Sequence, residues 1–237
     1  MALARDKRKL LFTLGALLTV IAICQLISYG QVLSVSFTNS EAPGRRFMIK
    51  QRLQRKSPEG RGCVTHTCVF FDVTFDAVPG GRIIFLLYDQ KTPKTVENFR
   101  SLATGERGTS KKGTVLHYKG TSFHRIVQNM LIQGGDILRG KGKEGEVESI
   151  YGGAFAHERR NDTFDQRGLV AMASMGPDQN GSEFFITVDT LAELNGQYVV
   201  FGEVIEGMSI VDRINGLALN EDESPSTAVV IAECGQL

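Results

Sequence analysis

The stretch that decides the fold runs from Phe71 to Tyr88 and reads FDVTFDAVPGGRIIFLLY. Apolar and polar side chains alternate with period two from Phe71 to Asp76, which is the pattern of a half-buried β-strand. The triplet Pro79-Gly80-Gly81 predicts a turn, and the apolar run Arg82–Tyr88 predicts a second strand. We therefore expect a β-hairpin at the start of a β-rich domain.

The rest of this domain repeats the pattern of short apolar runs separated by turn residues. Six further strands are predicted at Ser122–Val127, Leu131–Gly134, Leu169–Ala173, Glu183–Val188, Tyr198–Val204 and Ala228–Cys234. Two segments have helical spacing instead: Thr92–Leu102, with Thr92 as the N-cap and Pro93 at the first helical position, and Met208–Ile214. Eight strands and two helices predict a mainly β fold, a closed eight-stranded antiparallel β-barrel capped by two α-helices, because closure removes exposed strand edges.

The electric charge of the chain is unevenly distributed along its 237 residues. The formal net charge is +1, but residues 1–30 carry +3, residues 31–67 carry +5 and residues 68–237 carry −7. An acidic body excludes a dominant role in nucleic-acid binding, because phosphates need a positive face. A hydrophobic content of 42% also excludes a chain that is disordered throughout.

The N-terminal region has the pattern of a membrane signal anchor. Leu10–Ile27 contains no charged residue, and the basic cluster Arg5–Lys9 lies directly before it. A helix of roughly 20 residues spans a hydrocarbon core about 30 Å thick. The positive-inside rule then places the N-terminus in the cytoplasm and the body in the secretory lumen, of the endoplasmic reticulum or the Golgi, as a single-pass type II membrane protein. Ser28 and Gly30 are spaced like a signal-peptidase site, so secretion after cleavage near Gly30 is the alternative.

Four segments follow from these patterns. Residues 1–9 are a cytoplasmic basic tail, 10–30 the transmembrane signal anchor, 31–67 a basic stem or linker, and 68–237 the barrel domain.

Cys63 and Cys68 flank the sequence VTHT and could close a small loop in an oxidising lumen. With His66 they supply three candidate metal ligands without a fourth nearby, which is a weak zinc signal, so we expect no metal and no cofactor. The sequon Asn161-Asp162-Thr163 makes Asn161 a possible glycosylation site.

Seven sequence words in the barrel domain resemble the cyclophilins, a family of peptidyl-prolyl cis-trans isomerases. They are KTPKTVENFRSLATGERG (91–108), HYKGTSFHRIV (117–127), QGGD (133–136), SIYGGAF (149–155), MGPDQNGSEFFI (175–186), VVFGEVIEGM (199–208) and AECGQL (232–237). Their order is that of the family, and residues 1–67 lie outside the resemblance. The resemblance implies an eight-stranded barrel with two helices and the activity of a rotamase that assists protein folding. Its partners would be proline-containing polypeptide clients.

The resemblance also implies the residues of the site. Arg125, in FHR, matches the catalytic arginine of the family, and Gln133 matches the glutamine that holds the substrate and the arginine in place. His124 is interpreted as a packed structural histidine, because this reaction transfers no proton. The substrate-binding positions implied for the proline pocket and its borders are Met130, Leu131, Ala173, Ser174, Phe185, Leu194 and Tyr198.

Several positions of the site depart from the usual pattern of the family: Leu131 stands where Met is usual, and Ser174 where Asn is common. Met130 stands where a Phe is usual, Tyr198 where many members have His, and Glu193 where many have Trp. Glu193 supplies neither the apolar area nor the N–H donor of an indole, and that position contacts the drug cyclosporin in the family, so we expect weak cyclosporin binding. The leading hypothesis is a membrane-anchored prolyl isomerase. The alternative is a non-catalytic scaffold or escort that binds proline-containing segments with a degenerate active site.

Overall fold

A computed structural model describes Cys63 and residues 65–140, 146–158 and 163–237. These residues form eight strands, two α-helices and a short 3₁₀ helix. In chain order they are β1 Cys68–Phe75, β2 Val78–Leu87, α1 Pro93–Thr104, β3 Phe123–Val127, β4 Leu131–Gly134, β5 Leu169–Ser174, β6 Asn180–Thr187, the 3₁₀ helix Ala192–Leu194, β7 Val200–Glu206, α2 Met208–Asn215 and β8 Val229–Gln236. The mainly β class and the number of predicted elements are confirmed within this part of the chain.

All strand pairs are antiparallel, in the order β3-β4-β6-β5-β7-β2-β1-β8. The two outer strands meet at an isolated bridge between Ser122 and Val230. Beside this bridge the Gly120 N–H donates to the Ile231 carbonyl at 2.7 Å, and the Ile231 N–H donates to the Thr121 carbonyl at 2.9 Å. The sheet is therefore a nearly closed barrel with one thin seam between β3 and β8.

The first hairpin forms as predicted, but the position predicted for its turn was wrong. The turn is Asp76-Ala77, with φ values of 48° and 65°, and Pro79, Gly80 and Gly81 lie inside β2. Positive φ at both central residues is the geometry of a type I′ turn, which matches the twist of the flanking strands. Gly80 is needed elsewhere: a Cβ there would lie 2.3 Å from a ring carbon of Phe75, so the glycine makes room for that ring.

Alternation along the strands divides the apolar side chains into two clusters. The larger cluster fills the barrel and includes Phe71, Phe99 and Phe184, all fully buried. A smaller cluster, which we call the outer cluster, contains Leu131, Phe164, Leu169, Ala171, Phe185, Leu191 and Val200. Successive residues of a strand point to opposite faces, so Phe184 packs in the barrel while Phe185 belongs to the outer cluster. The outer cluster is where the sequence places the proline pocket.

Helix α1 covers one part of the barrel core. It buries Val96, Phe99 and Leu102 and ends at Gly105, whose left-handed φ of 70° terminates the helix. Thr92 occupies the predicted N-cap position, but its side chain makes no capping hydrogen bond. The carboxylate of Glu158 performs this role instead, accepting from the Lys94 N–H at 2.9 Å and the Thr95 N–H at 2.7 Å.

Several sequence predictions fall on residues outside the described ranges. They are the anchor Leu10–Ile27, most of the stem and the sequon residue Asn161. No helix among the described residues is long and apolar enough to cross a membrane. Cys63 and Cys68 are joined by a disulfide bond with a Cα–Cα distance of 5.3 Å, immediately where β1 begins.

Candidate active site

One row of facing residues crosses four neighbouring strands. Arg125 of β3 faces Gln133 of β4, Gln133 faces Phe185 of β6, and Phe185 faces Ala171 of β5. Directly opposite residues of antiparallel strands project their side chains from the same face of the sheet. The register therefore brings a cation, an amide and an aromatic ring to one face, although 60 residues separate the first from the third.

Phe185 is the centre of the apolar part of this face. Its ring is 3% exposed, meets Tyr198 edge-on at 5.2 Å between centroids and stacks on Phe164 at 5.8 Å. Leu131 is buried in the same cluster, and Met130, Ala173, Leu194 and Tyr198 pack against it as partly buried residues. All the predicted apolar pocket residues thus lie together. Phe164 completes the aromatic group, and no sequence pattern pointed to it.

Arg125 lies at the polar end of the row, and its guanidinium is bound by a loop residue. The side chains of Arg125 and Glu223 are 45% and 49% exposed, and Arg125 Nε donates to Glu223 Oε2 at 2.7 Å. Glu223 belongs to the segment between α2 and β8 and is 98 residues from Arg125 in the chain. An exposed ion pair contributes only about 0–1 kcal/mol to stability. The contact therefore orients the guanidinium of Arg125, which stays accessible to solvent.

Gln133 is bound to a different glutamate. Its Nε2 donates to Glu183 Oε2 at 2.7 Å, and His124 Nε2 lies 3.3 Å from the same oxygen. Burial raises the pKa of Glu183, but the hydrogen bonds from His124 and Gln133 outweigh it and leave that pKa below its ordinary value. An ionised carboxylate only accepts, so the NH₂ end of Gln133 faces Glu183 and its amide oxygen remains for a substrate N–H.

Ser174 ends β5 at the border of the pocket. Its hydroxyl donates to the Gly176 carbonyl and lies 3.3 Å from His157 Nε2. Ser174 and Tyr198 also line a groove of about 360 Å³, together with His157, Met175, Gly176, Pro177, Gly196 and Gln197. Met175 is 73% exposed at this groove, which is a large apolar side chain left open to a ligand.

Glu193 lies on the 3₁₀ helix, next to the pocket residue Leu194. Its side chain is exposed, and its backbone carbonyl accepts from Gln197 Nε2 at 2.6 Å.

A larger depression of about 410 Å³ exists around Asn129, Asp189 and Asp212. It contains neither the residues of the row nor those of the outer cluster.

Two charged residues of this site were missed at the sequence level. Glu183 has a local signal, since it precedes Phe185 by two positions in a strand and must share its face. Glu223 has no such signal, because its contact with Arg125 depends on how a distant loop returns to the barrel.

The arrangement suits a reaction that needs no covalent step. It combines the guanidinium of Arg125, an amide held by Glu183 and a cluster of apolar side chains around Phe185. The hydroxyl of Ser174 is bonded to Gly176 and His157 rather than presented to the row. These groups can bind a peptide and stabilise a changed distribution of charge on an amide.

Comparison with known proteins identifies the family of the chain. The model of the family described as "Cyclophilin type peptidyl-prolyl cis-trans isomerase/CLD" matches residues 70–236. The chain is 50% identical over 169 residues to "Peptidyl-prolyl cis-trans isomerase CYP21-1" of Arabidopsis thaliana, an alignment covering 71% of this chain and 75% of that relative. The matched region contains every strand of the barrel except the first two residues of β1. The chain therefore belongs to the cyclophilin family.

Proposed function

We propose that the protein is a peptidyl-prolyl cis-trans isomerase that acts on X–Pro bonds of polypeptide clients. The observation that carries the proposal is the row in which Arg125 and Gln133 adjoin the apolar pocket around Phe185. Membership of a family described by this activity and the name of the Arabidopsis relative support it.

The reaction is rotation about the bond that precedes proline. Its barrier is about 18–20 kcal/mol, because resonance must be lost as the amide twists. The proline ring binds against Phe185, Leu131, Leu194, Met130 and Tyr198. Ala173 and Ser174 hold the residue before proline through their backbone. Arg125 donates hydrogen bonds to the substrate and favours the nitrogen lone pair of the twisted amide, while Gln133 accepts from a substrate N–H.

The decisive experiment compares Arg125→Ala with Arg167→Ala in the full-length chain. Arg167 is a matched control, because it also forms an exposed ion pair, with Asp212, and both side chains are about half exposed (51% and 52%). Exchange of an Ala-Pro peptide, measured by NMR, should slow about 10²-fold for Arg125→Ala, the usual effect of removing one charge-stabilising donor, and stay unchanged for Arg167→Ala. Equal rates for Arg125→Ala and the unmodified protein would refute the assignment. Peptide binding without accelerated exchange would identify a non-catalytic scaffold.

Weak cyclosporin binding is part of this proposal. The exposed carboxylate of Glu193 borders the pocket next to Leu194 and offers neither apolar area nor a donor. The drug should inhibit the exchange assay only at concentrations well above those at which it inhibits a family member with Trp at this position.

We also propose that the protein is anchored in a membrane of the secretory pathway by Leu10–Ile27, with the barrel in the lumen. In intact microsomes the barrel should then be protected from protease and should resist carbonate extraction. Recovery in the soluble luminal fraction would instead indicate cleavage near Gly30.

We expect Asn161 to be glycosylated if the barrel lies in the lumen, because Asn161-Asp162-Thr163 is a sequon. Loss of a glycosidase-sensitive mass shift in Asn161→Gln would assign the glycan to this sequon.

A further inference from the structure

We propose that Glu223 is a positioning residue for Arg125, holding the guanidinium in the orientation that meets the twisted amide. The proposal rests on the function proposed above. Its first observation is the short contact between Arg125 Nε and Glu223 Oε2, at 2.7 Å. A carboxylate that binds the Nε edge of a planar guanidinium restricts rotation of the whole group.

Glu223 is attached to strand β3 by its backbone as well as by its side chain. The Ile126 N–H donates to the Glu223 carbonyl at 3.0 Å. Ile126 follows Arg125 directly, so this bond fixes the main chain of Glu223 beside the arginine. The carboxylate therefore reaches Arg125 from a defined origin.

The loop that carries Glu223 is also held by its own hydrogen bonds. The Asn220 N–H donates to the Ser224 carbonyl at 2.9 Å, and the Glu223 N–H donates to the Asn220 carbonyl at 3.2 Å. Asp222 Oδ1 accepts from both the backbone N–H of Ser224, at 3.1 Å, and its hydroxyl, at 2.5 Å. Glu223 itself has a φ of 64°, a left-handed backbone conformation that is uncommon for a non-glycine residue. The hydrogen bonds of the loop restrict the positions that the Glu223 carboxylate can take.

The contact with Glu223 lies at the Nε edge of the Arg125 guanidinium and leaves the two terminal nitrogens uncovered. Glu223 binds Nε, and neither terminal nitrogen of Arg125 has a hydrogen-bond partner among the described residues. These terminal nitrogens remain available for a substrate while the ion pair persists. A long arginine side chain without such a partner loses much rotational freedom on binding substrate, and that loss opposes catalysis.

Gln133 does not perform this function in the structure. Its Nε2 is bound to Glu183, and within the described residues Glu223 is the sole side chain that hydrogen-bonds Arg125. The role that the resemblance assigned to one glutamine is thus divided: Gln133 is held by Glu183, and Arg125 is held by Glu223.

The test measures kcat and KM for an Ala-Pro peptide with the full-length chain and five variants: Glu223→Gln, Glu223→Asp, Arg125→Ala, the double variant Arg125→Ala/Glu223→Gln, and Asp212→Asn. Asp212→Asn is the matched control, because it breaks the exposed ion pair with Arg167 and lies outside the site. We expect Glu223→Gln to lower kcat about three- to fivefold with little change in KM, the range of an exposed ion pair. Glu223→Asp should recover part of this loss, and Asp212→Asn should behave like the unmodified protein.

A merely structural role is excluded by two further measurements. The thermal midpoint of Glu223→Gln should equal that of Asp212→Asn. The Arg125 Nε–Hε NMR signal should be sharp and slow to exchange with solvent only when Glu223 is present. In the double-variant cycle, Glu223→Gln should have no further effect once Arg125 is removed.

The failures of the two proposals are distinguishable. If Arg125→Ala leaves the rate unchanged, the function assigned to Arg125 fails, and the positioning role fails with it. If Arg125→Ala slows exchange while Glu223→Gln is neutral or faster, the function survives and the positioning role is refuted. A further loss from Glu223→Gln in the Arg125→Ala background would also refute it.

Discussion

Glu183 shows how a single residue connects the polar part of the site. It accepts hydrogen bonds from Gln133 and lies within ion-pair distance of His124, whose side chain is about one-third exposed. Burial lowers the pKa of His124, but the hydrogen bond and the negative charge of Glu183, assisted by Asp136, raise it above its ordinary value. His124 was interpreted from the sequence as a packed histidine; in the structure it is partly buried, and its Nε2 lies beside Glu183, with which it forms an ion pair when it is protonated.

We expect Glu183→Gln to change how stability depends on pH. Because folding lowers the pKa of Glu183, this residue contributes to stability above about pH 4.5, and its contribution is lost as the pH falls. Because folding raises the pKa of His124, this residue contributes below about pH 6.5, and its contribution is lost as the pH rises through the pKa of the folded state. The unfolding free energy of the unmodified protein minus that of Glu183→Gln should be largest between these limits. Its size is about 1 kcal/mol or less, because both side chains are more than one-third exposed (35% and 37%). Urea unfolding from pH 4 to pH 8 measures it, and a difference that does not vary with pH would contradict the ion pair.

The residue scale also marks a limit of sequence analysis. Arg125, Gln133 and Phe185 were identified by motif, and the register places them in one row. The partners of Gln133 and Arg125 were not identified. Glu183 has a local signal through its spacing from Phe185, but its pairing with Gln133, 50 residues away, depends on strand register. Glu223 lies 98 residues from Arg125, and its contact depends on the path of a loop, which no local pattern encodes.

At the scale of elements, the start of α1 depends on a residue from a distant loop. The first N–H groups of a helix have no intrahelical partner, and here two of them donate to the carboxylate of Glu158. The hydroxyl of Thr95 donates to the same carboxylate at 2.7 Å. A negative charge at this end also interacts favourably with the helix dipole.

Glu158→Ala should therefore lower the unfolding free energy by about 1–2 kcal/mol, the usual cost of losing a cap. For a domain of this size the thermal midpoint should fall by about 2–8 °C. Glu221→Ala is the control, since Glu221 is an exposed glutamate with no ion pair among the described residues. Differential scanning calorimetry of both variants checks the prediction, and equal midpoints would show that Glu158 does not cap α1.

On the scale of the whole molecule, the barrel is held unevenly around its circumference. β1 pairs with β2 and β8 along most of its length, whereas β3 and β8 meet at one bridge and two neighbouring hydrogen bonds. Local opening costs least where few hydrogen bonds must break. The seam borders the strand that carries Arg125, so opening there would move Arg125 relative to the outer cluster.

Amide hydrogen exchange should therefore be faster at the seam than in the centre of the sheet. We expect the amides of Gly120 and Ile231, which form the two hydrogen bonds of the seam, to exchange before those of β5 and β6 under native conditions. Exchange followed by NMR, with and without a bound proline peptide, measures both rates. Equal protection of the seam amides and of β5 and β6 would mean that the seam opens only with global unfolding.

The amino-acid sequence by itself determined the two periodicities, the eight strands and two helices they produce, and the separation of a basic N-terminal region from an acidic body. These properties are local, since period two, helical spacing and charge are all present in consecutive residues. Only the tertiary structure decided that the first turn is Asp76-Ala77, that Glu158 caps α1, and that Glu223 and Glu183 hold the two polar residues of the row. The physical reason is the same in each case: a turn, a cap or an ion pair is chosen by which groups meet in space, and that depends on register and packing across the whole barrel.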